Sequence, residues 1–286
     1  KIVMRIDLSV PTPLAYFASL VQRDAELPLL EAAACLAQDA SPELDVQQVL
    51  HEVDRLAERL LRQVTRGAGE IERLRGLNRF FFEELGFAGN VNDYYNPDNS
   101  YLHRVLHTRR GIPISLAVLW LELARGLGLS AHGVGFPGHF LVQVELPDGL
   151  VVLDPFTGQS LGLVELRARI DEFQPQGGAR PGDVLPLAMH LRPARPRQIL
   201  ARMLRNLQEI HRTQRDWARL VQVQDRLVTL LPDAWPEYRE RGLALAELGQ
   251  TARAQADLNL YLQHASDASD RARVAERLGA LPRSRS

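Results

Sequence analysis

Ser115, His139 and Asp154 have the types and the chain order of a nucleophile, its base and the group that orients that base. Ser115 stands two residues after Pro113 at the head of the apolar run Ile114 to Leu129. Proline is tolerated in a first turn, so the serine falls at or just inside a helix N-terminus. Such an end offers free backbone N–H groups and a partial positive charge, which favour an anionic nucleophile and a developing oxyanion. His139 follows the sharp-turn pair Pro137-Gly138, and Asp154 sits in Leu-Asp-Pro-Phe at a strand end. A histidine there can take the nucleophile's proton, and a carboxylate on the neighbouring strand can fix its tautomer. The environment suits a thiol better than a hydroxyl, so a cysteine introduced at 115 is expected to outreact Cys35. That single cysteine, in Glu-Ala-Ala-Ala-Cys-Leu-Ala, reads as the inner face of an early helix. Plainer uses exist for the other three: Ser115 can cap its helix, Asp154 can end a strand through backbone bonds, and the Pro-Gly turn can aim His139 without chemistry.

Around this trio stand residues able to line a cleft. Tyr94, Tyr95, Asn96 and Asn99 belong to the turn-rich loop from Phe87 to Ser100 and can donate to an oxyanion, stack on a peptide, or hold the loop itself. Arg109 and Arg110 can bind an acidic group or a loop carboxylate such as Asp93. His103 and His107 are four residues apart, but no Cys, Glu or Asp accompanies them at a matching spacing, and neither metal nor cofactor is expected. Lys1 is the only lysine, which all but removes Schiff-base and phosphate-loop lysine chemistry. A net charge of -1 gives no global field for nucleic acid or acidic membranes. Nine arginines against three acids between Arg192 and Arg226 read as a solvated or partner-facing helix surface. No apolar run has the roughly 18 to 20 residues that span a bilayer, and the N-terminus lacks a signal peptide's apolar region, so the expected location is cytoplasmic.

The elements that must position these groups follow from periodicity. Residues 12–85 read as helices, with apolar positions at three-to-four spacing through Leu27 to Leu36, Val46 to Val64 and Ile71 to Leu85, and with Asp45 placed to cap the second run. A short helix covers Tyr101 to Thr108. After the helix that starts near Ser115 the period changes to two, giving strands at Val134 to Phe136, His139 to Leu146 and Leu150 to Leu153. A hairpin turn at Asp148-Gly149 would pair Asp154 with Gln143 and leave His139 about 13 Å along the strand, so a bulge or longer loop is required to join them. The Pro- and Gly-bearing stretch 174–198 reads as a linker. Beyond it, helices repeat at 34 residues, with Leu204, Leu207 and Pro232 in one unit and Tyr238, Gly242, Leu245, Ala254 and Leu258 in the next. These divisions give an α+β domain over 1–173, with a helical part at 12–85 and a motif core at 86–165, then the linker and a helical repeat region at 199–286.

The run from Asn99 to Ala117, Asn-Ser-Tyr-Leu-His-Arg-Val-Leu-His-Thr-Arg-Arg-Gly-Ile-Pro-Ile-Ser-Leu-Ala, together with Gly-Phe-Pro-Gly-His-Phe and Leu-Asp-Pro-Phe, resembles the bacterial SirB-type proteins. In that family a transglutaminase-like core precedes tetratricopeptide repeats, and the core is shared with a eukaryotic F-box protein. The resemblance covers residues 12 to about 265. It implies a papain-like fold with the triad positions at Ser115, His139 and Asp154, and with serine where active transglutaminases carry cysteine. The function it implies is a peptide- or protein-binding module on a catalytically degenerate scaffold, with partners meeting the cleft and the repeats. The alternative is a serine-dependent amide or ester hydrolase or acyltransferase using the same three residues.

Overall fold

Apolar stripes at helical spacing form the first layer. In the computed structural model, which describes residues 11–173, 186–266 and 268–282, helices α1 (Pro13–Leu20), α2 (Leu29–Ala34), α3 (Val46–Gln63) and α4 (Glu70–Asn78) precede every strand. Asp45 caps α3 by accepting from the Gln47 N–H at 2.9 Å, and α3 buries Val46, Val49, Val53, Leu56 and Leu60 along one stripe. Past Asn78 the helix widens into a π-turn over Arg79–Glu84 and stops at Gly86, whose φ of 71° suits glycine. The turn sends Phe80 and Phe81 into the core, where Phe81 stacks on Phe87 at 4.3 Å.

The site-bearing part comes next. β1 (Ala88–Gly89) pairs in parallel with β2 (Arg110–Gly111), and the loop and α5 (Leu102–Thr108) lie between them. α6 (Pro113–Gly126) follows and is buried on nearly every side through Ala124, which makes it the central helix. Behind it lies an antiparallel sheet in the order β3 (Ala131–Val134), β4 (Leu141–Leu146), β5 (Gly149–Leu153), β6 (Ser160–Leu161). β3 starts earlier than its apolar end suggests and stops at Val134, because the Phe136 N–H turns back onto the Val134 carbonyl. The hairpin turn is Pro147-Asp148, with Leu146 opposite Gly149, rather than Asp148-Gly149. Proline pre-sets the φ required at the first central position of a turn, and glycine suits the residue after it. The register therefore places Val142 opposite Leu153 and, one step on, Leu141 opposite Asp154.

α7 (Leu163–Phe173) and α8 (Leu187–His190) flank the sheet. Of the stretch read as a linker, 174–185 lies outside the described residues. The remainder holds α8, a bridge from Pro193 to Val134 and the start of the next helix. The chain then runs through α9 (Pro196–Gln214), α10 (Trp217–Leu230), α11 (Trp235–Glu247), α12 (Thr251–His264) and α13 (Arg271–Gly279) as successive packed helices. At the α11–α12 crossing, a Cβ on Gly242 would sit 2.8 Å from Leu258 Cγ, and Ala254 is fully buried. Ile199, Met203, Leu204, Leu207, Val223 and Leu227 share one core with α1 to α6, whereas Leu220, Ala244, Leu245, Leu258 and Tyr261 form a second. The architecture is α+β followed by an all-α array. Among the described residues no helix is long and apolar enough to cross a membrane.

Candidate active site

His139 lies in the turn before β4, and Asp154 follows β5 directly. With Leu141 opposite Asp154, the histidine is only two residues, about 7 Å, along the strand direction. The turn closes that gap without a bulge: Gly138 takes a φ of 64°, the His139 N–H donates to the Phe136 carbonyl, and the ring Nε2 comes to 2.8 Å from Asp154 Oδ1. Asp154 also accepts from the Phe156 N–H at 2.9 Å and from Arg169 Nη2 at 3.0 Å. Burial pushes its carboxyl up, but the bonds from His139, Phe156 and Arg169 together outweigh this and hold it below the usual carboxylate range. An ionised Asp154 can only accept, so Nε2 is the donor in this contact and Nδ1 is turned away from the carboxylate. The Asp154 backbone also closes its own turn with Gly158 and Gln159, so the residue serves the local backbone as well as His139.

Ser115 is in the first turn of α6 and is wholly buried. Its hydroxyl accepts from the Ile112 N–H at 3.1 Å, satisfying one free donor at the helix start. As a donor the hydroxyl has two carbonyls in reach, that of Asn99 at 2.6 Å and that of Ile112 at 3.0 Å. Gly111 lies against it so closely that a Cβ there would be 2.7 Å from Ser115 Oγ. His139 is not among its hydrogen-bond partners. His139 and Asp154 are thus in contact, while the Ser115 hydroxyl is engaged elsewhere.

The loop residues divide between these two centres. Asn99, buried, donates to the Asp93 and Tyr94 carbonyls at 2.6 and 3.2 Å and accepts from Asn90 Nδ2 at 2.9 Å. Asn96 caps the short turn Pro97–Ser100 and donates to Asp93 Oδ2 at 2.8 Å. Ser115 therefore holds Asn99, and Asn99 holds the tyrosine-bearing loop. The Tyr94 ring lies 6.0 Å from Phe156, whose ring lies 6.4 Å from His139, and Tyr95 projects outward with 72% of its surface exposed. Arg109 ends α5 with a φ of 59°, lies over the Phe87 ring at 4.7 Å and is 3.9 Å from Glu52. Arg110 Nη1 donates to the Gly86 carbonyl at 2.7 Å. Neither arginine engages Asp93. His103 lies beside Tyr101, and among the described residues no group of three or more His, Cys, Asp or Glu side chains is arranged to hold a metal.

Two arginines that no sequence motif marks also reach the site. Arg169 reaches Asp154 from α7, and Arg202 reaches from α9 to donate to the His139 carbonyl at 2.7 Å and, more weakly, to that of Phe136. Burial lowers the Arg202 pKa without removing its charge. Neither residue has a spacing rule that connects it to the turn it serves.

Comparison with known proteins gives matches over most of the chain. Residues 47–205 match the transglutaminase-like superfamily, and residues 207–279 match a tetratricopeptide repeat family. A UPF0162 protein of Xylella fastidiosa is 41% identical over 241 residues, covering 84% of this chain and 85% of that protein. A UPF0162 protein of Pseudomonas aeruginosa is 32% identical over 254 residues, covering 88% and 90%. F-box only protein 21 of Mus musculus is 35% identical over 148 residues, covering 44% of this chain and 24% of that protein.

Proposed function

Since the chain belongs to the transglutaminase-like superfamily and to the UPF0162 proteins, with tetratricopeptide repeats at its C-terminal end, we propose that it is a peptide- or protein-binding module whose scaffold presents a surface in place of a nucleophile. The SirB-type grouping suggested by residues 99–117 is part of this reading.

The burial and bonding of Ser115 carry the proposal. Attack by a serine requires an oxygen open to substrate and a base within reach of its proton. Here the oxygen is buried and lies 2.6 Å from the Asn99 carbonyl, in hydrogen-bond contact. The same bond orders the loop that sets Tyr94 beside Phe156 and leaves Tyr95 exposed, and aromatic groups fixed on a rigid base are well suited to peptide recognition. Stacked helical repeats supply a second extended surface of the kind such arrays use for partners.

One observation favours the hydrolase or acyltransferase alternative: the His139–Asp154 pair is in hydrogen-bond contact through Nε2, which leaves Nδ1 outside that bond. That chemistry would require Ser115 to leave Asn99 and the loop to open. Assays of the wild type, Ser115→Ala and His139→Ala on activated ester and anilide substrates separate the two readings. Background turnover in all three is the outcome expected of the binding module. Turnover that disappears in Ser115→Ala would establish the enzyme instead.

A further inference from the structure

A cavity of about 670 Å³ lies away from His139, bounded by α2, α3, α6, the edge strand β3 and the first turn of α9. Its volume falls within the range of ligand-binding clefts, and half-buried Leu29, Leu50 and Leu121 give it apolar walls. The edge of β3 forms part of its lining. Because the Ser130 carbonyl accepts from the Glu145 N–H, the antiparallel register turns the Ala131 N–H and C=O away from β4, toward the cavity side. The cover on this edge consists of the bridge from Pro193 to Val134 and the bond from the Ala194 N–H to the Gly133 carbonyl, after which the chain leaves into α9 at Pro196. Among the described residues, Ala131 is thus an open edge position at the side of an apolar groove.

The rim is acidic. Glu31 is engaged by Tyr16 and Gln47, and Arg125 is paired with Glu122. Asp54, exposed on α3, has no hydrogen-bond or salt-bridge partner among the described residues, and the cation whose charge it feels across the groove, Arg125, is already paired with Glu122.

We propose that this groove docks an extended peptide segment of a partner protein, its backbone adding to the β3 edge at Ala131, its apolar side chains meeting Leu29, Leu50 and Leu121, and a lysine or arginine pairing with Asp54. Edge addition calls for an extended backbone, because only a strand aligns its own N–H and C=O groups with those of β3. The rim charge selects a basic side chain. The inference rests on the binding-module reading and assigns it a location separate from the histidine site.

The test uses the full chain as bait for a phage-displayed random-peptide library, with synthetic copies of the recovered peptides measured by fluorescence anisotropy. The recovered peptides are expected to alternate apolar residues and to carry Lys or Arg. Asp54→Lys should weaken them about tenfold, the fold-change of a single well-placed charge pair. Exchanging the peptide's basic residue for Glu should restore affinity to that variant, and Leu121→Arg should abolish binding. Asp54 is exposed, so its replacement leaves the core intact and the charge swap does not depend on refolding. Peptides that bind as helices, or that survive Leu121→Arg, would overturn the groove. Peptides lost instead with Tyr95→Ala would also overturn it while leaving the binding module standing, and the ester assay tests the module independently.

Discussion

Removing the Ser115 hydroxyl takes a donor from the Asn99 carbonyl and an acceptor from the Ile112 N–H. The Ile112 N–H already donates to the Asn99 carbonyl as well, at 3.4 Å, and this bond can tighten, so Ser115→Ala should cost only about 1 kcal/mol in a urea titration. Burial also reverses the expectation that a thiol at 115 would be activated. A sulfur there would be enclosed against Gly111, and burial pushes the Cys35 thiol up to about 12. Folded Ser115→Cys protein should therefore show no fast reaction with iodoacetamide at either position, and denaturant should release both thiols; a fast native phase would instead reveal an open cleft. Asp154 gives a pH signature. Its folded pKa is lowered, so its contribution is present above the unfolded value near 3.9 and is lost as pH falls through the folded value. Asp154→Asn should lower stability at neutral pH and flatten the acid limb of a plot of stability against pH. Ser115, His139 and Asp154 were legible because proline and glycine punctuation marks the helix start and the turns that display them. Arg169 and Arg202 were not, since each arrives from an element far along the chain.

Helices declared themselves through their stripes, and the strands through a period of two, but the hairpin shows where local pattern stops being sufficient. Pro147-Asp148 and Asp148-Gly149 are both acceptable turns on composition, and they differ by two positions in which residue of β4 faces Asp154. The register observed also pairs Val142 with Leu153 and Val144 with Val151, while the Pro137–His139 turn supplies the reach that a bulge or longer loop was expected to provide. The repeat helices were read from small residues at the crossing, which yields a sharp contrast. Gly242→Ala would force its Cβ to 2.8 Å from Leu258 and should cost about 1–3 kcal/mol in thermal or chemical denaturation. Gly126→Ala meets only Ala57, at 3.7 Å, and should be neutral or slightly stabilising.

The first core and the repeat core meet at a different place from the family matches, whose boundary at 205–207 falls inside α9. α9 and α10 complete the core begun by α1 to α6, and Arg226, buried, donates to Asp39 at 2.6 Å across that junction while lying over the Phe17 ring. A chain ending at Arg195 should consequently fail to give a cooperative unfolding transition. One ending at Pro232 retains the first core and should give one, observable by circular dichroism. Composition could not reveal this division, because the apolar faces of α9 and α10 read equally well as repeat packing or as part of the first domain. The bond from Arg202 to the His139 carbonyl crosses the same junction, so a chain cut before α9 would lose the clamp on its histidine turn along with its repeats.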